Sequence, residues 1–216
     1  MMNSQLQPTL QEGVEDFGIF KAIFMAGSPG SGKSTVKHEL FEGLGLKTVD
    51  ADEVRAAYLK LGKTGDYDVY GDVVRRQRKR YMDNRLGIIM DTTAWWLPSV
   101  IDTTHELREL GYDVAMVQVY TPLNQALDRV ATRAVKTGRE VPTQEVIKRY
   151  EGLKNNTRDY INLFGDAYWF VDNTGRRPQT DLIRREVRTW LRQPPQNPIA
   201  QAWIQDQKAA KRTRSS

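Results

Sequence analysis

The sequence predicts an α/β protein, a parallel five-stranded sheet covered by helices on both faces in three layers. Two observations carry that expectation. Five short apolar runs of buried-strand character alternate with stretches of helical spacing, and a glycine-rich turn joins the first run to the first helix. A length of 216 residues, with 39% hydrophobic and 27% charged side chains, allows one soluble domain with a sizeable core.

Residues 1–17 are polar and aperiodic, so loose order is expected there, with the folded domain spanning 18–193. The first strand, Phe20 to Ala26, ends at Gly27. There Gly27-Ser28-Pro29-Gly30-Ser31-Gly32-Lys33-Ser34 fits the pattern G-x-x-x-x-G-K-[ST] of a phosphate-binding loop. Gly27, Gly30 and Gly32 open backbone angles closed to other residues and let peptide N–H groups approach an anion. Lys33 can set its ammonium between the β- and γ-phosphates of a nucleoside triphosphate, and the Ser34 hydroxyl can hold Mg²⁺. Val36, Leu40 and Leu44 then recur at helical spacing, in a helix whose positive end points at the same phosphates. Gly27 to Thr35 are the expected nucleotide-binding residues.

Leu46 to Val49 reads as a second strand and runs into Asp50-Ala51-Asp52-Glu53-Val54-Arg55. Asp52 and Arg55, three apart at a helix start, share a face beside the carboxyl end of the strand, where open parallel sheets bind ligands. A carboxylate there can take the proton of a substrate hydroxyl, and a guanidinium can clamp a phosphate. The competing reading is a helix cap from Asp50 or Asp52, with Arg55 as an intrahelical partner. Residues 62–72 are turn-rich, and Val73 to Arg85 is expected to be helical. Leu86 to Met90 is the third strand, ending in Asp91-Thr92-Thr93, which suits ordering Mg²⁺ through water, holding substrate, or capping the junction. Trp95 and Trp96 follow on the expected active face, where they stack on a base or are simply buried.

Val100, Leu107 and Leu110 mark a helix stopped by Gly111, and Val114 to Tyr120 is the fourth strand. Leu123 to Lys136 is helical, with Arg129, Arg133 and Lys136 on one side, and leads into the basic loop Thr137 to Pro142 with a glycine hinge. Such a segment, near 133–142, suits a mobile lid over a triphosphate, or else a basic surface helix. A helix from Val146 to Phe164, a fifth strand Ala167 to Val171, a turn at 172–175 and a helix Thr180 to Leu191 complete the domain. From 194 onward, Pro194, Pro195, Pro198, several glutamines and a basic end read as a linker and tail. No internal repeat is visible.

The chain lacks cysteine, which excludes disulfides and thiolate chemistry, and its two histidines, His38 and His105, argue against a multi-histidine metal site. No apolar run is long enough for a bilayer and no signal pattern opens the chain, so a cytoplasmic, non-membrane protein is expected. The net charge of +5 is concentrated: Arg75, Arg76, Arg78, Lys79 and Arg80 form one run, and Lys208, Lys211, Arg212 and Arg214 sit near the end. Without those nine, 23 basic residues face 27 acidic ones. Two basic patches suit a polyanionic partner, although charge runs are commonly solvated helix faces.

Over roughly residues 19–172, the series GSPGSGKS, DADEVR, IIMDTT and TRAVKTGREVPTQEVIKRY resembles the kinase domain of bacteriophage polynucleotide 5′-hydroxyl kinase and, more loosely, zeta-toxin kinases. The resemblance implies a P-loop kinase fold, with Asp52 as general base and Arg55 binding a substrate phosphate. It further implies that Asp91 and Thr92 order that arginine and the substrate, and that Arg133 and Arg139 stabilise the transferring phosphate. Two departures stand out. The lid is one residue shorter than in that family between its first arginine and the Val-Pro pair, and Trp95 and Trp96 occupy positions where smaller polar residues are the family's habit.

The expected protein is an ATP- and Mg²⁺-dependent kinase acting on a hydroxyl carried by nucleic acid, with DNA as the expected kind: a 5′-hydroxyl end, or the hydroxymethyl group of 5-hydroxymethyluracil in phage DNA. A small-molecule kinase, nucleoside-specific or acting on a sugar nucleotide as zeta-toxin kinases do, is the alternative.

Overall fold

The computed structural model describes residues 17–62, 67–138, 140–175 and 177–214; the expected loose order of residues 1–16 and the lid residue Arg139 lie outside them. Five strands, β1 Lys21–Ala26, β2 Lys47–Val49, β3 Ile88–Thr92, β4 Asp113–Tyr120 and β5 Tyr168–Asp172, form one sheet in the order β2-β3-β1-β4-β5. Every pairing is parallel, with Ala22 of the central β1 in register with Ile88 on one side and Val114 on the other. The helices are α1 Lys33–Phe41, α2 Ala51–Lys60, α3 Tyr67–Asp83, α4 Leu97–Glu109, α5 Leu123–Thr137, α6 Thr143–Phe164, α7 Asp181–Arg192 and α8 Pro198–Arg214.

All six residues of β1 are buried. Successive side chains of a strand point to opposite faces, so a strand apolar throughout needs cover on both. Ala22, Phe24 and Ala26 enter a core shared with Met82 of α3, Leu107 of α4 and Tyr160 of α6. Ile23 and Met25 enter a second core with Val36 and Leu40 of α1 and Val187 and Leu191 of α7. The three expected layers follow. Because β1 is central, the chain leaves it toward β2 and β3 on one side and toward β4 and β5 on the other, which opens a crevice at its carboxyl end.

Two stretches differ from expectation. The turn-rich segment 62–72 contains the start of α3 at Tyr67, where Tyr70 packs edge-on against Tyr58 of α2, ring centroids 5.4 Å apart. The expected linker and tail from 194 onward carries α8 instead. Its start gains from Pro198, whose fixed φ suits a first helical turn. Ala200 is fully buried, and Trp203 meets Phe20 edge-on at 5.6 Å. The helix thus closes the amino ends of the strands, far in chain and space from the crevice, and tertiary packing overrides a composition that reads as unstructured.

A buried ion pair fastens this end. Lys21, at the start of β1, is 1% exposed and donates to Asp113 Oδ2 at 2.7 Å, with the Trp190 ring 4.6 Å from its ammonium. Burial pulls the lysine pKa below its ordinary value, although the Asp113 carboxylate opposes the shift. Asp113 also accepts from the N–H groups of Gln196 and Asn197 at 2.8 and 3.0 Å, immediately before α8. Asp113→Ala is therefore expected to cost about 3–5 kcal/mol in urea unfolding, since it leaves a buried lysine without its carboxylate. An unchanged midpoint would contradict this role.

Candidate active site

The phosphate loop follows β1 without a break. Gly30 and Gly32 adopt left-handed backbone angles, φ 81° and 87°, and Gly32 caps α1. No side chain fits at either: a Cβ on Gly30 would strike the carbonyl of Ala126 on α5, and one on Gly32 the amide of Asn173 after β5. Behind the loop, Asn173 Nδ2 donates to the Ser31 carbonyl at 2.7 Å, and the Thr121 hydroxyl lies 3.0 Å from the same oxygen. Arg129 of α5 donates to Thr121 Oγ1 at 3.1 Å and to the Asn173 carbonyl at 3.1 Å, and reaches the Gly30 carbonyl at 3.5 Å. A trans peptide points its N–H opposite its C=O, so drawing the Ser31 carbonyl backward turns the Gly32 N–H forward. The buried Ser31 hydroxyl has no hydrogen-bond partner. Lys33 Nζ donates to the Gly27 carbonyl at 2.6 Å.

In front of the loop lies a cleft of about 550 Å³. Lys33, Lys37, Arg129, Arg133 and Arg149 line it, against the carboxylates of Asp50, Asp52, Glu53 and Asp91. Burial holds the Lys33 pKa below its ordinary value; Asp91, Asp52 and Asp50 pull it up and Arg133 pushes it further down. Lys37 behaves oppositely. Burial alone would lower its pKa, but Asp91 at 3.0 Å, Asp50 at 3.5 Å and Glu53 at 3.7 Å together raise it. Lys37 therefore stays charged and gathers the acidic residues of β3 and α2 at the rim. Asp50 caps α2 by accepting from the Asp52 N–H at 2.8 Å, which leaves the Asp52 side chain to the cleft.

The expected residues divide accordingly. The loop residues Ser28 to Ser34, Asp52, Asp91 and Arg133 share the cleft. Thr35 lies in the first turn of α1, exposed. Arg55 is exposed and is not among the cleft-lining residues, because α2 advances about 100° per residue and Asp52, Glu53 and Ala56 cover the facing arc. Thr93 lines the cleft where Thr92 was expected: the strand alternation continues past Asp91, and the Thr92 hydroxyl accepts the Ala94 N–H at 3.1 Å. Lys37, Arg149, Thr121 and Asn173 had no assigned role, and Arg129, expected on the basic side of a lid helix, braces the phosphate loop from behind. Lys37 is signalled by its place one turn after Lys33 on α1.

Trp95 and Trp96 line a second cavity, of about 560 Å³, with Gln144, Lys148, Glu151 and Asn155 of α6. Neighbouring residues of the chain line the two cavities, Thr93 and Arg149 the one, Trp95 and Lys148 the other. The Lys148 ammonium sits 4.5 Å from the Trp95 ring, and Trp96 remains 56% exposed. Gly152 allows the approach of α6, since a Cβ there would lie 2.8 Å from the Trp95 carbonyl. Asn156 donates to that carbonyl at 3.0 Å, and Tyr160, its hydroxyl pushed by burial up to about 12, donates to the Ala94 carbonyl at 2.6 Å. Tyr160→Phe is expected to cost about 1–3 kcal/mol by stranding that carbonyl, with a change in tryptophan emission as residues 94–96 loosen. Unaltered stability and emission would refute the tether.

A model of the zeta toxin family matches residues 11–167 of the chain. An adenylate kinase of Bacteroides fragilis is 25% identical over 142 residues, 59% of this chain and 75% of that protein. A shikimate kinase of Halorhodospira halophila is 30% identical over 111 residues, 50% of this chain and 60% of that protein. Among solved structures, a chain of the Pnkp1/Rnl/Hen1 RNA repair complex superposes with a TM-score of 0.55 at 23% identity. That match covers 67% of this chain and about half (47%) of the other, a likeness of fold. The matched family span runs from before β1 to just short of β5 and takes in every residue lining the phosphate cleft; the chain is a phosphotransferase of P-loop kinase fold and belongs to the zeta toxin family.

Proposed function

We propose that the protein transfers the γ-phosphate of ATP to a hydroxyl of a nucleic-acid acceptor, a 5′-hydroxyl end or the hydroxymethyl group of 5-hydroxymethyluracil in DNA. The observation that carries this reading is the adjacency of two cavities, one walled by the phosphate loop and cations, the other by two tryptophans, with Asp52 in the first. ATP fits the loop: the Gly32 N–H faces forward, the buried Ser31 hydroxyl has no partner among the described residues, and Lys33 donates to a carbonyl it can relinquish. Among the described residues no group of three or more His, Cys, Asp or Glu is arranged to hold a metal by itself. Mg²⁺ would be held by Ser34 and, through water, Asp91 beside the phosphates, where it would neutralise charge on the β- and γ-oxygens.

The chain's own residues do the rest. Asp52 accepts the proton of the attacking hydroxyl. Lys33, Arg133 and Arg149 meet the charge that spreads over the transferring group, in a cleft where they are already fixed. Trp95 and Trp96 offer ring faces to the acceptor base, and Gln144, Lys148, Glu151 and Asn155 offer polar edges.

A small free acceptor, a nucleoside or sugar nucleotide, is the second reading. It is favoured by two observations: Arg55 does not line the cleft, and the basic run of α3 is not among the residues of either cavity. Asp52→Ala is expected to lower turnover by about 10²–10⁴-fold with ATP affinity nearly intact; retained turnover would sink the assignment. With γ-labelled ATP, the purified protein should label 5′-hydroxyl oligonucleotides, or blocked oligonucleotides carrying internal 5-hydroxymethyluracil. Label only on free nucleosides or sugar nucleotides would establish the second reading instead.

A further inference from the structure

The helices that carry the two basic segments, more than a hundred residues apart in sequence, come together near the amino ends of the strands, opposite the cleft. Arg85, just beyond α3, stacks over the Trp203 ring of α8 at 4.5 Å. Arg80 lies five residues before that contact on α3 and Lys208 five residues after it on α8, about 8 Å of helix rise in the latter case. Within the α3 run, Arg78 is bound to Glu106, Lys79 to Asp83 and Arg75 to Asp72. Arg76 and Arg80, one turn apart on the solvent face, are exposed and enter no ion pair among those between described residues. Lys208 and Arg212 are exposed one turn apart on α8.

We propose that this pole is a docking surface for the sugar-phosphate backbone of duplex DNA, separate from the catalytic cleft. Charge complementarity names the partner. Residues at i, i+4 spacing are neighbours on a helix surface, with Cβ atoms about 6 Å apart, so Arg76 and Arg80 can reach phosphates of one strand, and arginines bind phosphate bidentately. A membrane surface is the poorer match, because an interfacial helix presents its aromatic and large apolar residues outward. In α8 Trp203 is instead packed on Phe20 and Ala200 is buried. Tethering at this pole would keep the enzyme on nucleic acid while the cleft samples hydroxyls. The surface stands apart from the acceptor assignment, since it uses none of the cleft residues.

The test is fluorescence anisotropy with full-length protein and a 20-base-pair duplex of ordinary bases, 5′-phosphorylated at both ends so that it offers no acceptor, at stepped KCl and without ATP. Affinity is expected to fall with salt, and Arg76→Glu/Arg80→Glu to bind at least about tenfold more weakly, with a log–log salt slope shallower by about 2. The milder Arg76→Gln/Arg80→Gln should fall between, and all variants should bind ATP as the parent does, which reports an intact fold. Asp52→Ala should bind the duplex normally even though the cleft is disabled, so this surface and the kinase reading fail independently. Equal duplex affinity in the parent and both arginine variants would overturn the proposal. So would binding to vesicles of anionic phospholipid with no binding to the duplex.

Discussion

The Ser31 carbonyl, held from behind by Asn173 and Thr121, is the contact on which the site depends. It orients one peptide of a loop whose own backbone bonding includes the turn from the Ser31 N–H to the Ser28 carbonyl, and it does so from two other strands, through residues just past the ends of β4 and β5. Arg129 locks both partners together and adds the Gly30 carbonyl. The glycines are then a requirement of space as well as of angle, because Ala126 and Asn173 stand where side chains would go. A parallel sheet with β1 at its centre is what brings these distant segments to one crevice.

Electrostatics shape the cleft in the same way. A site for a polyanion must be positive without repelling itself apart, and five cations are interleaved here with four carboxylates. Lys37 shows how the balance is kept: three carboxylates hold it charged, and it holds them at the rim of the phosphate loop. Lys33, deeper, pays in desolvation for a position that only a phosphate would fully compensate.

What was legible in the sequence was what is local in the chain. The phosphate loop is contiguous, and β1, β3 and β4 are apolar enough to be read as strands buried on both faces. Asp52 and Asp91 end up in the cleft because they follow strands whose carboxyl ends define it. Asn173 could not be read as a brace, since its partner lies 142 residues away and nothing in its neighbourhood marks it. The rotation of α2 that carries Arg55 off the facing arc, and the alternation that exchanges Thr93 for Thr92, are one-residue matters of geometry below the resolution of spacing arguments. In α8, prolines and glutamines concealed a helix whose order comes from Phe20 and Arg85, not from its own composition.

The most direct measurement is the equilibrium affinity for ATP of Asn173→Ala, by calorimetry at a temperature where circular dichroism shows both proteins folded. If the loop is a phosphate cradle held from behind, losing the amide that grips Ser31 weakens ATP binding by about tenfold or more, roughly 1.4 kcal/mol. An affinity equal to that of the parent would contradict the account, for the loop would then hold its shape without the brace.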